Sequence, residues 1–191
     1  MKKITAIQVQ KNNPNRVNIH LDGEFAFGLA RITAAWLQVG QTLDEGKIAA
    51  LLEEDARERA LAQALLYLGY RARSEAEIRQ NLRKHDIPEP VIEETLARLR
   101  RDGFANDDQF AQAWVENRNT FRPRGRRLLA LELRQKGLAD DAIQTALEGV
   151  DDEALAYEAG LKKARTLSGT GRLQVQERSE FRRKLSEFLA R

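Results

Sequence analysis

The sequence contains no cysteine in its 191 residues. This excludes disulfides, thiolate nucleophiles and zinc sites built on cysteine, and it suits a reducing compartment. The sequence also has no apolar run near the ~18 residues that a membrane helix needs, and its polar start is unlike a secretory signal peptide. We therefore expect a soluble, cytoplasmic protein with no membrane span.

Glycine and proline are scarce, at 12 and 4 residues, and aromatic residues make up only 6%. Alanine, leucine, arginine and glutamate dominate instead, which is typical of a helical chain. Hydrophobic residues account for 42%, enough for one large or two modest domains with a core. We expect a mainly α, globular monomer.

Residue types that carry catalysis are also rare. His20 and His85 are the only histidines and lie far apart in the sequence, and no glycine-rich phosphate loop occurs. Asp107 and Asp108 begin a predicted helix, where the helix dipole favours acids, so we interpret Asn106 and Asp107 as capping residues rather than metal ligands. We expect no enzymatic activity, no cofactor and no metal.

The first thirty residues have the pattern of strands. The segments ITAIQVQ, RVNIHLDG and EFAFGL alternate apolar and polar residues. Turn residues separate them at positions 12–15, around Pro14, and at Asp22 and Gly23. The pattern predicts a small three-stranded antiparallel meander, which must pack on the helices after it because so small a sheet is not stable alone.

From Thr33 onward the sequence predicts helices throughout. Two capping boxes, TLDE beginning at Thr42 and SEAE beginning at Ser74, predict helix starts. Gly69 and Gly103 are placed to end helices.

The helical region contains an internal repeat. The segments SEAEIRQNL and GRRLLALEL align at an offset of 51 residues, and the linker before the second copy is two residues longer, beside FRPRG. A third, weaker copy at a further offset of 56 residues places Leu185 and Leu189 at the positions of Leu129 and Leu133. The aligned core positions are Ile78, Leu82, Ile87, Ile92, Leu96 and Leu99 in the first copy and Leu129, Leu133, Leu138, Ile143, Leu147 and Val150 in the second.

These patterns divide the chain into five parts. We predict an N-terminal β-meander over 1–30, a connecting helical segment over 31–56, a first three-helix repeat over 57–104, a second over 105–150, and a third, apparently incomplete, over 151–191. Whether the third repeat is naturally short or trimmed stays open.

Apolar side chains of the second repeat are expected to form its core. Four leucines of one helix occupy a broad arc that we expect to face inward. Four further residues around the preceding helix are expected to pack between repeats, with base stacking by Trp114 as the alternative. The leucines are Leu128, Leu129, Leu131 and Leu133, and the other four are Phe104, Phe110, Trp114 and Val115.

Charge is distributed in blocks, although the net charge is only +3. Residues 118–136 carry a net +6 with Glu132 as their one acid, residues 140–158 carry −7, and residues 161–191 again carry +6. Such blocks suit docking on a charged partner, whereas the alternative is a set of solvated helix faces with no binding role.

The middle helix of each repeat carries arginines on its outer side, at about 100° per residue. We predict that these faces, with the lysines and linker arginines beside them, contact a partner protein or a nucleic-acid backbone. The alternative is that they are solvated arginines paired with nearby acids. The predicted contact residues are Arg79, Arg83, Lys84, Arg122, Arg124, Arg126, Arg127, Arg134, Lys136, Arg182 and Arg183.

Three motifs resemble one known family. RSEAEIRQNL (73–82), DGFANDDQFAQAWVENR (102–118) and RGRRLLALELRQKGL (124–138) occur in the order and spacing of the RecX family of recombination regulators. The resemblance implies a curved array of three-helix repeats that binds the RecA recombinase filament on single-stranded DNA and usually inhibits its ATPase and strand exchange. The alternative function is a helical module that binds single-stranded or duplex DNA directly.

Overall fold

The structure is a computed structural model that describes residues 1–168 and 175–189. Its strands are β1 (Lys2–Gln10), β2 (Asn13–Leu21), β3 (Glu24–Ala30) and β4 (Thr42–Leu43). Its helices within the described ranges are α1 (Glu45–Leu68), α2 (Glu75–Lys84), α3 (Glu89–Arg101), α4 (Asp107–Phe121), α5 (Arg126–Gln135), α6 (Asp140–Leu147), α7 (Asp152–Ser168) and α8 (Val175–Leu189). The mainly α class with an N-terminal antiparallel sheet is therefore confirmed.

The N-terminal sheet has one strand more than the sequence predicts. Its order is β3-β2-β1-β4, and β4 pairs antiparallel with the start of β1. The turn at Asp22 and Gly23 is confirmed, since both residues have positive φ angles of 51° and 94°. The turn predicted over 12–15 lies at residues 11–12 instead, and Pro14 lies within β2, near the start of the strand, where a missing N–H is tolerated.

The predicted start of the first helix is also wrong. Thr42 lies in β4, where it pairs with Lys3, and the N-cap of α1 is Asp44, whose carboxylate accepts from the Lys47 N–H at 2.8 Å. Residues 31–41 form turns and irregular loop rather than helix. Pairing of β4 with β1 satisfies the backbone hydrogen-bonding groups at Thr42, although the two strands lie far apart in the sequence. This pairing overrides the local capping pattern. From Asp44 the helix continues without a break to Gly69, as predicted for its end.

A nearly buried ion pair anchors α1 to the sheet. Asp55 is only 4% exposed, and its carboxylate accepts from both terminal nitrogens of Arg16 at 3.1 and 2.9 Å and from the Ala30 N–H. The charge of Asp55 is thereby both paired and hydrogen-bonded, as burial requires. Around it, Ile4, Ile19, Leu29 and other apolar residues form the core of the sheet.

The chain forms two compact units. One comprises residues 1–73 and 77–105, and the other comprises residues 74–76 and 106–191. All twelve aligned core positions of the first two repeats are buried, and they fall into two separate clusters, one for each repeat. The tandem three-helix organisation predicted from the repeat is therefore confirmed.

Two leucines of α5 contradict the prediction that four face inward. Leu129 and Leu133 are fully buried, but Leu128 is 37% and Leu131 is 51% exposed. The α5 core face is thus a narrow stripe of two leucines, because α5 packs on neighbours from one side only. Phe104 is 58% exposed and is not a core residue either.

The remaining residues around α4 are at least half-buried, but they belong to the core cluster of the second repeat, so their packing between repeats stays a prediction. Phe110 and Val115 are buried, and Trp114 is half-buried with its ring stacked at 5.8 Å on that of Phe110. Asn106 is the N-cap of α4 and accepts from the Gln109 N–H at 2.9 Å, as predicted.

The third repeat is described in part. Its helices α7 and α8 are packed together, and Leu185 is half-buried on α8. The side chain of Leu189, the predicted counterpart of Leu133, lies outside the described residues. No helix within the described ranges is long and apolar enough to cross a membrane.

We expect the core leucines of α5 to differ sharply from the exposed ones in their effect on stability. Leu133→Ala should lower the free energy of unfolding by about 2–5 kcal/mol, because it leaves a cavity among buried side chains. Leu131→Ala should change it by less than about 0.5 kcal/mol, as is usual on a surface. Urea denaturation of both variants measures the difference, and equal losses would contradict the assignment of the two faces.

The positions after α2 and α5 provide a second test. Asp86 and Gly137 are equivalent in the repeat alignment, and both have positive φ, 55° and 79°. A Cβ atom at Gly137 would also collide with the side chain of Ala76. Gly137→Ala should therefore cost about 1–3 kcal/mol. Asp86→Gly should leave the free energy of unfolding within about 1 kcal/mol of the wild type. Glycine relieves the strain of the positive φ, but it also makes the unfolded chain more flexible, and the two effects offset each other. Thermal unfolding of the two variants checks this ordering.

Candidate binding surface

The predicted contact residues of the first repeat are mostly neutralised by acids of the next helix. On α2, Arg79 lies 2.6 Å from Glu89 and also hydrogen-bonds Glu93, while Arg83 lies 2.9 Å from Glu89. The hydrogen bond from Arg83 lowers the pKa of Glu89, and that from Arg79 lowers the pKa of Glu93. Within the described residues, Lys84 is exposed and has no ion pair. The outer face of the first repeat is therefore a network of opposite charges.

In the second repeat, one carboxylate organises the cluster of basic and aromatic side chains. Glu132 of α5 accepts from the indole N–H of Trp114 and from Nε of Arg118, both at 2.8 Å, and it also pairs with Arg124. The guanidinium of Arg118 lies over the indole at 4.5 Å and the ammonium of Lys136 at 5.1 Å. We call these five side chains the Glu132 cluster.

Burial and hydrogen bonding act in opposite directions on Glu132. Its side chain is only 12% exposed, and this burial acts to raise its pKa. The hydrogen bonds from Arg118 and Trp114 and the charges of Arg118 and Arg124 outweigh burial, so the pKa of Glu132 lies below its ordinary value. The carboxylate is thus ionised at neutral pH and holds Arg124, a predicted contact residue, in a structural role.

In the second repeat, whose residues the structure describes, three predicted contact residues have no ion pair. They are Arg122, Arg126 and Arg127, which are all exposed and fall in the linker before α5 and in its first turn. By contrast, Arg134 at the other end of α5 pairs with Asp140 at 2.9 Å. The available positive charge of the second repeat is therefore concentrated around the N-terminus of α5.

An N-terminal helix turn with arginines and no acid of its own is electrostatically unfavourable. An acid from another helix compensates for it here, since Asp152 of α7 accepts from the Arg126 N–H at 2.7 Å. The same arrangement occurs at α2, where the Glu75 N–H donates to Asp107, the first residue of α4, at 2.9 Å. In both cases the second helix of a repeat is capped by the helix that follows the repeat.

The third repeat again contains both kinds of arginine. Arg183 pairs with Glu187 at 3.1 Å, whereas Arg182 is exposed and has no ion pair among the described residues. The repeat alignment places these arginines at equivalent positions, but it does not show their partners. The one available signal was Glu132, a single acid inside a strongly basic block.

Candidate metal ligands are not grouped in the described ranges. No cluster of three or more histidine or acidic side chains there has the geometry to hold a metal ion. The ring of His20 lies against Phe25 at 6.0 Å, and His85 is exposed.

We expect Glu132 to stabilise the second unit in a pH-dependent way. A carboxylate with a lowered pKa stabilises the fold above its unfolded pKa of about 4.3, and this stabilisation is lost as the pH falls through the folded pKa. Glu132→Gln should therefore cost about 1–3 kcal/mol at pH 7, because a charged hydrogen-bond acceptor is lost. The difference from the wild type should shrink at about pH 3.

Urea denaturation at the two pH values measures this effect. Glu116→Gln on α4 is the matched control, because Glu116 is exposed and has no ion pair among the described residues. A difference between wild type and Glu132→Gln that is the same at both pH values would contradict the role of the Glu132 charge.

Family models match the chain in three places, in the order of its folded parts. They are the N-terminal domain of regulatory protein RecX over residues 2–44, the first three-helix domain of RecX over residues 60–99, and its second three-helix domain over residues 106–147.

Curated relatives show the same similarity. Regulatory protein RecX of Bacillus subtilis strain 168 is 35% identical over 196 residues, which cover 98% of this chain and 74% of the relative. Regulatory protein RecX of Bacillus pumilus strain SAFR-032 is 38% identical over 169 residues and 87% of this chain, and the chain spans 64% of the length of that relative.

Solved structures agree with both comparisons. A crystal structure of regulatory protein RecX matches with a TM-score of 0.69 at 30% identity, covering 98% of this chain and 93% of the other. RecX from Lactobacillus salivarius matches with a TM-score of 0.57 at 25% identity, covering 70% and 88%. The N-terminal sheet and both three-helix repeats are thus accounted for in sequence and in structure, and the chain belongs to the RecX family of regulatory proteins.

Proposed function

We propose that the protein is a cytoplasmic, non-enzymatic monomer that binds the RecA filament on single-stranded DNA. Binding would inhibit the ATPase and strand exchange of RecA and so restrain recombination and the SOS response. Membership of the RecX family supports RecA as the partner. The surface that makes the contact is proposed from the charges of the described residues.

The observation that carries the proposal is the cluster of Arg122, Arg126 and Arg127. These three exposed arginines lie within six residues and have no ion pair among the described residues. An arginine that already has a carboxylate partner must exchange it on binding, whereas an unpaired one gains the whole charge-assisted interaction. The cluster is therefore the place where an anionic partner gains most.

The other predicted contact residues take lesser roles in this proposal. Lys84 and Arg182 are exposed without an ion pair in the described residues and extend the surface on the first and third repeats. The others either bind an acid or belong to the Glu132 cluster and are proposed to contribute after rearrangement. They are Arg79, Arg83, Arg124, Arg134, Lys136 and Arg183.

The acidic block of residues 140–158 favours a protein partner over free DNA. Its seven acids are all exposed and belong to the same unit as the arginine cluster. Negative charge of this density repels a DNA backbone nonspecifically, whereas a filament presents both DNA and protein surfaces.

We expect the wild-type protein to lower ATP hydrolysis by RecA on single-stranded DNA at stoichiometric ratios. Replacing Arg126 and Arg127 with Glu should raise the concentration needed for half-inhibition by at least about tenfold, because each charge-assisted hydrogen bond contributes ~1.5–3 kcal/mol. The fold should survive, because Glu is favoured in the first turn of a helix. A coupled ATPase assay measures inhibition, and circular dichroism checks folding.

The matched control replaces Arg31 and Arg59 with Glu. Both are exposed arginines without an ion pair among the described residues, and they lie outside the proposed surface. The two double variants therefore have the same net charge and differ only in where the charge is changed. No inhibition by the wild type, or equal inhibition by the two double variants, would contradict the proposal. Tight DNA binding without RecA that weakens steeply with salt would instead favour the DNA-binding module.

A further inference from the structure

The outward side of α5 combines positive charge with exposed apolar surface. Leu128 and Leu131 are 37% and 51% exposed, although the other two leucines of the helix are fully buried. At about 100° per residue, Leu131 lies about 40° from Arg127 around the helix axis, and Leu128 lies about 60° further in the same direction. We call Arg127, Leu128 and Leu131 the α5 outer face.

The repeat alignment shows that the fold does not require leucine at these positions. The counterparts of Leu128 and Leu131 are Glu77 and Gln80 in the first repeat. In the third repeat they are Lys184 and Glu187. The buried core positions keep apolar residues in the first two repeats, whereas this outward pair is apolar only in the second. Two neighbouring leucines are therefore partly exposed where two related helices carry polar residues, and folding alone does not explain this pair.

More apolar surface occurs at the same end of this repeat. Phe121, the last residue of α4, is 75% exposed and is followed directly by Arg122 of the cluster. Only the short linker of residues 122–125 separates α4 from α5. Phe121, the linker and the outward side of α5 therefore together carry an aromatic ring, two leucines and three arginines without ion pairs in the described residues.

The chemistry of this face discriminates between possible partners. Phosphate groups are contacted by arginine, lysine and polar side chains, and a leucine pressed against them loses water without gaining a partner. Protein interfaces, by contrast, bury apolar and aromatic side chains at their centre and are enriched in arginine. A protein surface with carboxylates around an apolar centre complements every residue of this face.

We propose that the α5 outer face docks on an acidic protein surface with an apolar centre and does not contact DNA. The inference rests on the proposed function, because it takes the protein of the RecA filament as the partner and assigns this face to it. Arginines supply the attraction to carboxylates, and the leucines supply apolar area that a purely electrostatic contact lacks.

The test replaces the two leucines by the residues of the first repeat, Leu128→Glu with Leu131→Gln. Binding of this variant to RecA filaments assembled on labelled oligo(dT) should weaken at least about tenfold, since an interface centre is lost. Its binding to the same oligo(dT) without RecA should stay within twofold of the wild type, after correction for the added negative charge with the control below.

The matched control makes the same two replacements on α1, Leu52→Glu with Leu66→Gln. These leucines are 42% and 59% exposed and lie outside the α5 outer face, so net charge and apolar content change equally. Thermal unfolding of both double variants confirms that each is folded.

Each outcome has a distinct meaning. Loss of filament binding by the α5 variant alone supports the inference. Unchanged filament binding, or an equal loss of binding to oligo(dT) alone, overturns it while the proposed function stands. If the wild-type protein does not bind the filament, the proposed function is wrong, and the inference that rests on it is wrong as well.

Discussion

The second repeat depends on the ionised carboxylate of Glu132. It joins Trp114 and Arg118 of α4 to Arg124 of the linker, and so fixes the path of the chain into α5. Because Glu132 is nearly buried, its charge must be compensated on all sides, and it takes up two of the arginines of its basic block. Arg134 is paired with Asp140, so Arg122, Arg126 and Arg127 are the arginines of this block without an ion pair in the described residues.

The first two repeats combine one type of core with different surfaces. Equivalent apolar positions are buried in the first two repeats, which explains why their helices follow the same pattern. The outer side of α2 is neutralised by Glu89 and Glu93 of α3, whereas the equivalent side of α5 carries leucines and free charge. A repeated fold thus keeps one type of core while the charge and the apolar content of its outer surfaces differ between copies.

The features predicted from the sequence are those that depend on periodic burial. Ile78 and Leu129 share a position because each must face the core, and spacing alone reveals this. The prediction of Thr42 as a helix cap was wrong, because its conformation is set by pairing with Lys3, which is distant in the sequence. The prediction of Leu131 as a core residue was also wrong. The helical angle gives the direction of each side chain around the axis, but not how wide a face the neighbouring helices cover.

The candidate site was predicted as a set of positive positions, but its division into paired and unpaired arginines was not. That division depends on which acid of another helix comes within about 3 Å of each guanidinium, a distance that the residue pattern does not contain. Glu132 could be recognised as unusual in its block, but Glu89 and Asp140 resemble any other acid near a helix start.

The third repeat keeps the arginine cluster at the start of α5 free of side-chain ion pairs within the described residues. Two arginines in the first turn of α5 oppose its helix dipole, and α5 has no acid of its own there. Asp152 supplies that negative charge through the backbone N–H of Arg126, and so leaves the guanidinium groups of Arg126 and Arg127 facing solvent. An ion pair of Asp152 with either guanidinium would have neutralised the surface instead. Capping from α7 therefore reconciles a stable helix start with an arginine cluster available for binding.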